Sequence, residues 1–389
     1  MTKQAWIVGD LGFGDSGKGV EVARLTKKHG ATLNVRWGGG ANCAHNVVHE
    51  DFRHHTFRQF GSGSFYGADT YLGENVRFDP VMYVQERNIL RAKGVKTDLY
   101  VHPKCIVVTP LHIIHSLYVA HDHMRGTTGN GVGAARRYAE EYPGDELRVY
   151  ELLHPMIVRA KMQMMRERLE IGQLDDQTLK NMSEHLIQIA YYDMQAPRYF
   201  VDIVKPHDRV VFEGHQGALL DAEHGFSPFV TSSDTSMSGA IHMAQMERMS
   251  YELIGVTRSY MTRHGAGPLF TESATMRDRA PEDHNRDEPD HLQGRWRVGW
   301  LDLELIWRGM WILNPIGGVQ KIAVSHMDRW WKGMKVAGRR QESLLHTPVY
   351  AYEEFKTEEA YFGAIESALE TPIHVVGRGK RVTDREERT

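Results

Sequence analysis

Residues 5–29 constrain this chain more than any other stretch. The run Ala5-Trp6-Ile7-Val8 has the continuity of a strand buried on both faces, Gly9 closes it, and Val20 to His29 carries apolar residues at helical spacing. Between them lies Asp10-Leu11-Gly12-Phe13-Gly14-Asp15-Ser16-Gly17-Lys18-Gly19. Glycines let backbone N–H groups converge on an anion, the helix start adds its positive end, and Lys18 adds a full charge. Strand, loop and helix together form a phosphate-binding unit. Gly12 to Lys18 keeps the G-x-x-x-x-G-K spacing of a P-loop, but Gly19 stands where a P-loop has the Ser or Thr that holds Mg²⁺. The cation must find a ligand elsewhere. Asp15, inside the loop, is the nearest acid able to hold it or to take a proton from a substrate. A bare glycine turn serves any tight strand-to-helix connection; Asp15 and Lys18 together favour phosphate chemistry.

Strand-like and helix-like stretches alternate through most of the 389 residues, which predicts an α/β chain with a mostly parallel central sheet flanked by helices. A net charge of −3 with 25% charged residues gives no basic surplus, so neither nucleic acid nor a membrane surface is an expected partner. No apolar run approaches the ~20 residues that span a bilayer. Cys43 and Cys105 form neither a metal spacing nor a disulfide framework, and a reducing cytoplasm is the expected location. His45 and His49 stand four apart, as zinc ligands on a helix would, but Val47-Val48 between them reads as strand. His54 and His55 read as an exposed hairpin.

Thr32 to Trp37 reads as a second strand, running into Gly38-Gly39-Gly40-Ala41-Asn42-Cys43-Ala44-His45. Ligands gather beyond the carboxyl ends of parallel strands, so His45 is expected in the same crevice as the first loop. Pro110 to Arg125 predicts a helix, and Gly126-Thr127-Thr128-Gly129-Asn130-Gly131-Val132-Gly133 follows it. Two hydroxyls among four glycines suit a monophosphate; a flexible surface turn has the same composition. Residues 151–199 are helix-rich and Met-rich, with methionine as core filler. Val210 to Gly217 is another strand entering a glycine turn. Residues 272–293 are polar with hardly an apolar residue, which predicts a mobile loop. It ends at Arg295 and Arg297, whose spacing suits bidentate capture of carboxylates, although each alone would be an ordinary surface charge.

Gly14-Asp15-Ser16-Gly17-Lys18-Gly19 resembles the G-D-E-G-K-G signature of adenylosuccinate synthetases, with Ser16 in place of Glu. The second loop, R-W-G-G-G-A-N-C-A-H, is similar to the family's R-x-Q-G-G-x-N-A-G-H, Gly38 replacing Gln, Cys43 replacing Ala and Ala44 replacing Gly. Residues 126–133 resemble G-T-T-G-R-G-I-G. Phe212 to Ser233 resembles F-E-G-A-Q-G-x-L-L-D-x-x-H-G-x-x-P-x-V-T-S-S nearly position for position, and Tyr260 to Pro268 resembles Y-x-T-R-V-G-A-G-P. Gly294-Arg295-Trp296-Arg297 matches the end of T-T-G-R-x-R, whose threonines are Leu292 and Gln293 here. Ser325-His326-Met327-Asp328 departs from N-K-x-D or T-K-x-D, and residues 371–379 depart from S-T-G-P.

The resemblance implies one 389-residue unit of that family's fold, with a helix-rich insertion at about 151–199 and the loop at about 272–293. It implies a ligase that joins L-aspartate to C6 of a 6-oxopurine nucleotide with a nucleoside triphosphate and Mg²⁺. The implied catalytic residues are Asp15, His45 and Lys18, with Asp15 and the carbonyl of Ala44 on the metal. Ser16, Asn42, Thr127, Thr128, Gln216, Thr231 and Arg295 would bind the substrate nucleotide. Gly14, Gly17, Lys18, Gly19, His326, Asp328, Gly377 and Gly379 would bind the triphosphate, and Arg295 and Arg297 the aspartate. Family members pair as homodimers in which an arginine crosses between subunits; Arg136, Arg137 and Arg148 are the choices here.

Three departures resemble a phage branch that uses dGMP with ATP or dATP and makes N6-succino-2-amino-2′-deoxyadenylate, which would place the enzyme in a host cytoplasm. Ser16 leaves room for the 2-amino group of guanine and can accept from it. His326 and the altered residues 371–379 weaken guanine selection at the triphosphate. The alternatives are the reaction of IMP with GTP and a catalytically silent nucleotide-binding regulator, against which Asp15, Lys18, His45, Arg295 and Arg297 together argue.

Overall fold

Ala5 and Ile7 face one side of their strand and Trp6 and Val8 the other, and all four are buried, as a central parallel strand requires. The computed structural model describes residues 3–119, 128–280, 292–338 and 351–388. Ten strands form the main sheet: β1 (Gln4–Asp10), β2 (Leu33–Gly40), β3 (Asp69–Phe78), β4 (Leu99–Val101), β5 (Ile106–Val107), β6 (Arg209–Gly217), β7 (Ser250–Arg258), β8 (Lys321–Ser325), β9 (Ile373–Gly377) and β10 (Arg385–Glu387). Their order is β10-β9-β8-β7-β1-β6-β2-β3-β4, with β5 also on β3. Every pairing is parallel except that of β9 with β10. The expected mostly parallel α/β sheet is what the chain forms.

Helix α1 (Lys18–His29) starts from Gly17 and stops at Gly30, both in the left-handed conformation that glycine adopts without strain. Its Val22 and Leu25 cover Trp6 and Val8, together with Val211, Ile254, Val256, Ala323 and Val375 from the neighbouring strands. Burial of each such side chain contributes about 1.5–3 kcal/mol. This packing fixes the phosphate loop at the carboxyl edge of β1.

Several expectations change in detail. His55 is buried, not exposed, with Nε2 3.2 Å from Glu86; only His54 of the pair faces solvent. The helix expected over 110–125 is α-helical at Pro110–Ile114 and widens to a π turn at His115–Val119; residues 120–127 lie outside the described residues. The start of the polar loop is ordered, since Glu272 bridges to Gly299 and Ala274–Arg279 is a helix capped by Ser273; residues 281–291 lie outside the described residues. Between 151 and 199, helices Pro155–Arg168 and Asp176–Tyr192 pack together, with Met162 and Met165 fully buried as core.

Candidate active site

The first loop is built around a residue that spacing alone did not single out. Asp10, fully buried at the end of β1, accepts from Gly12 N (2.9 Å), Ser16 N (3.1 Å), Ser16 Oγ (2.9 Å) and Lys18 Nζ (2.8 Å). One carboxylate thus ties both ends of the loop and compensates the buried ammonium of Lys18. Ser16 is part of that brace, so its hydroxyl donates inward to Asp10. Gly14, Asp15 and Gly17 all take positive φ, which turns consecutive N–H groups toward one side.

Asp15 is different. Its backbone is held in the left-handed region at φ 58° by Arg258, whose Nε donates to the Asp15 carbonyl at 2.6 Å. Its side chain is 46% exposed and meets His264 Nε2 at 3.2 Å. Partial burial opposes ionisation, but the His264 hydrogen bond and charge, with Arg258 and Lys18, hold the carboxyl well below its usual range. Asp15 is therefore a ready anion at the edge of the loop.

His45 packs beside Gly19 at the start of α1. A short hairpin of His45–Val48 with His54–Phe57 carries it, and its Nδ1 lies 2.6 Å from Glu213 of β6. Glu213 is fully buried and also accepts from the amide of Ser62 at 2.9 Å and from its hydroxyl. Burial raises and these partners lower its pKa, and the partners win. Burial lowers the pKa of His45 despite the pull of Glu213. Nε2 of His45 has a longer contact, 3.3 Å to the carbonyl of His215. Gly19 is explained here: a Cβ at that position would lie 2.8 Å from both His45 Cβ and Ser62 Oγ. The P-loop hydroxyl is missing because His45 and Ser62 occupy its place.

The residues expected around the substrate nucleotide converge in part. Gln216 Nε2 reaches Cys43 Sγ at 3.2 Å, and Cys43 Sγ lies 3.4 Å from Asn42 Oδ1. Asn130 Nδ2 lies 3.4 Å from the Ala41 carbonyl, which ties the glycine loop of Thr128 to the turn that holds Asn42. Thr231 N bonds the Leu220 carbonyl at 2.7 Å, and the adjoining Ser232 Oγ lies 3.9 Å from a Cβ placed on Gly133. Thr127 lies outside the described residues.

Arg295 is exposed, beside Trp296–Gly299, which pairs antiparallel with Met261–His264. Arg297 is not free to take a ligand's carboxylate as the spacing suggested. It forks onto Glu272 at 2.6 and 2.8 Å and donates to the carbonyls of Gly265 and Gly267. On the opposite side, His326 sits at φ 61° after β8 with Nδ1 2.7 Å from Ser325 Oγ, and burial with Arg258, Arg385 and Arg329 nearby keeps it neutral. Asp328 is exposed and pairs with Arg329 at 3.1 Å. Gly377 carries the Arg385 side chain, whose Nη2 reaches the Gly17 carbonyl at 3.3 Å. Gly379 instead faces Asp384, which fills the space beside it. Of the arginines considered for a subunit crossing, Arg136 pairs with Glu140 at 2.6 Å and Arg148 with Glu146 at 2.7 Å.

No group of three His, Cys, Asp or Glu side chains gathers as a metal cage among the described residues. Mg²⁺ commonly uses one or two carboxylates with substrate phosphates, and Asp15, ionised and open, fits that use better than Asp10, whose oxygens are spent.

A family model described as adenylosuccinate synthetase matches residues 6–337. The adenylosuccinate synthetase of Thermodesulfovibrio yellowstonii is 28% identical over 95% of both chains, and that of Thioalkalivibrio sulfidiphilus is 32% identical over 82% of this chain and 76% of its own. The fold matches the fully ligated adenylosuccinate synthetase of Plasmodium falciparum with a TM-score of 0.81 at 19% identity, covering 100% of both chains. It also matches the succinoaminodeoxyadenylate synthetase of cyanophage S-2L, solved bound to dGMP and dATP as an energy donor, with a TM-score of 0.70 at 17% identity, covering 100% of this chain and 96% of that one. With the family match running from β1 past β8, the chain belongs to the adenylosuccinate synthetase family.

Proposed function

We propose that this member of a family of ligases joining aspartate to a purine nucleotide acts on dGMP with ATP or dATP, giving N6-succino-2-amino-2′-deoxyadenylate. The observation that carries the chemistry is the placement of Asp15, whose 46% exposed carboxylate is turned out of the loop at the start of α1, where the Glu213-anchored His45 also packs. For the substrate, Ser16 is folded back onto Asp10, so nothing from position 16 reaches toward the base and the 2-amino group of guanine has room. The neighbour from cyanophage S-2L, bound to dGMP and dATP, supports the same choice.

In this reading Asp15 accepts the N1 proton of the base, and O6 attacks the γ-phosphorus as the nucleoside diphosphate leaves. Lys18 and the loop N–H groups at Gly14, Gly17 and Gly19 stabilise the charge of transfer. His45, protonated on Nε2 as well while its Nδ1–H stays on Glu213, donates to O6. The amine of L-aspartate then attacks C6 and loses a proton, and inorganic phosphate leaves. Asp15 and the Ala44 carbonyl would hold Mg²⁺, which would supply neutralisation of phosphate charge. Asn42, Thr127, Thr128, Gln216, Thr231 and Arg295 hold the monophosphate nucleotide. His326, Asp328, Gly377 and Gly379 line the triphosphate's base, and Arg295 and Arg297 hold aspartate once Arg297 exchanges Glu272 for it.

Phosphate release with L-aspartate and Mg²⁺ tests this: dGMP with ATP is expected to outpace IMP with GTP. A clear preference for IMP with GTP would overturn the dGMP reading.

A further inference from the structure

His215, one residue before Gln216 at the carboxyl end of β6, has no part in the steps above. It is 4% exposed, and among the described residues neither ring nitrogen has a hydrogen-bond partner. Leaving two such groups buried and unpaired is costly, so their place beside a ligand crevice calls for a partner that arrives with the ligand. Burial, with Arg36, Lys18, Arg77 and His45 nearby, lowers the ring's pKa to about 3 and keeps it neutral. A neutral imidazole offers one donor and one acceptor.

The ring occupies the space of another residue's side chain. A Cβ on Gly38 would lie 2.7 Å from His215 Cε1, and one on Gly39 would lie 2.6 Å from His215 Cβ and 2.7 Å from Cys43 Sγ. With the His215 ring in this place, any side chain at 38 would require the ring to move. In the resembling motifs the bulk sits the other way, glutamine at 38 and alanine at 215. A polar side chain has in effect moved from the end of β2 to the end of β6, packed edge-on to Trp37 at 6.2 Å. It now adjoins Gln216, which bonds Cys43 in the turn that holds Asn42.

We propose that His215 is a specificity-determining residue for the purine nucleotide, its imidazole filling the space of a side chain at 38 and offering its donor and acceptor to the bound base. The inference deepens the dGMP reading and rests on it for the identity of the base. Calorimetric affinities for dGMP and IMP decide the matter, measured on the full chain for wild type, H215A, H215Q and G38Q/H215A, with a circular-dichroism melt of each. H215A is expected to change the dGMP-to-IMP affinity ratio by about tenfold or more, because a site that has lost a hydrogen-bonding group discriminates less. H215Q, which keeps a donor and an acceptor, should stay near the wild-type ratio, and G38Q/H215A should move it toward IMP. Should H215A fail to fold, the double variant refills the space and carries the test. An unchanged ratio in every folded variant overturns the role of His215. A wild type that binds IMP more tightly overturns the dGMP reading instead, whatever the variants do.

Discussion

Asp10 spends its oxygens inside the first glycine loop, while Asp15, five residues on, keeps a half-exposed carboxylate beside His264. Replacing Asp15 with Asn removes the proposed base and little volume, so kcat should fall roughly 10²- to 10⁴-fold while calorimetry still shows nucleotide binding. Glu213 makes a different prediction. Its folded pKa lies below the ordinary 4.5, so the charge on Glu213 stabilises the fold above that pH and loses its effect as the pH falls below it. Glu213→Gln should therefore lower Tm most at pH 7, and the gap from wild type should narrow on acidification below 4.5. Asp15, Lys18 and His45 were legible because glycine spacing marks them. Their partners were not, since His45 meets Glu213 across 168 residues and Gly17 meets Arg385 across 368, and nothing local records such contacts. The same limit hid Arg258 and His264. The ion pair that occupies Arg297 was equally invisible, because Glu272 looked like part of a mobile loop.

At the scale of elements, the loop and α1 are shaped by what presses on them. Gly19→Ser would restore the P-loop hydroxyl in sequence, yet its Cβ meets His45 and Ser62 at 2.8 Å. The expected result is a loss of about 1–3 kcal/mol in urea unfolding together with lower activity, because the hairpin that carries His45 must shift. A variant as stable and active as wild type would remove the explanation given for glycine at this position. Strands and helices with strong caps were readable: α1 ends at a left-handed Gly30, and Pro110 starts its helix after Thr109. The helix after Pro110 was read as a uniform one because apolar spacing does not mark the π turn that begins at His115. His55 was misplaced because the acceptor that lets a histidine be buried, Glu86, lies on a separate helix.

For the whole molecule, a crevice formed by elements from across the sheet couples ligand binding to stability. A nucleotide that binds only the folded chain, supplied at 100 times its Kd, should add about 2.7 kcal/mol to unfolding. The rise in Tm with dGMP and with ATP should be larger than with IMP and GTP at equal concentration; equal or reversed shifts would count against the proposed substrate pair. The alternation of strand and helix disclosed a parallel sheet, but not its order, since β1 lies between β6 and β7 and neither adjoins it in sequence.

That order has a consequence for synthesis. Gln4 of β1 rests against Arg209 on one side and Ser250 on the other. On the ribosome the oily strand Ala5–Val8 emerges early and must wait, shielded by chaperones or by transient collapse, until residues up to Arg258 have followed. The earliest part of the candidate site to be translated is thus among the last to be assembled, and nucleotides can steady only the finished chain, never the growing one.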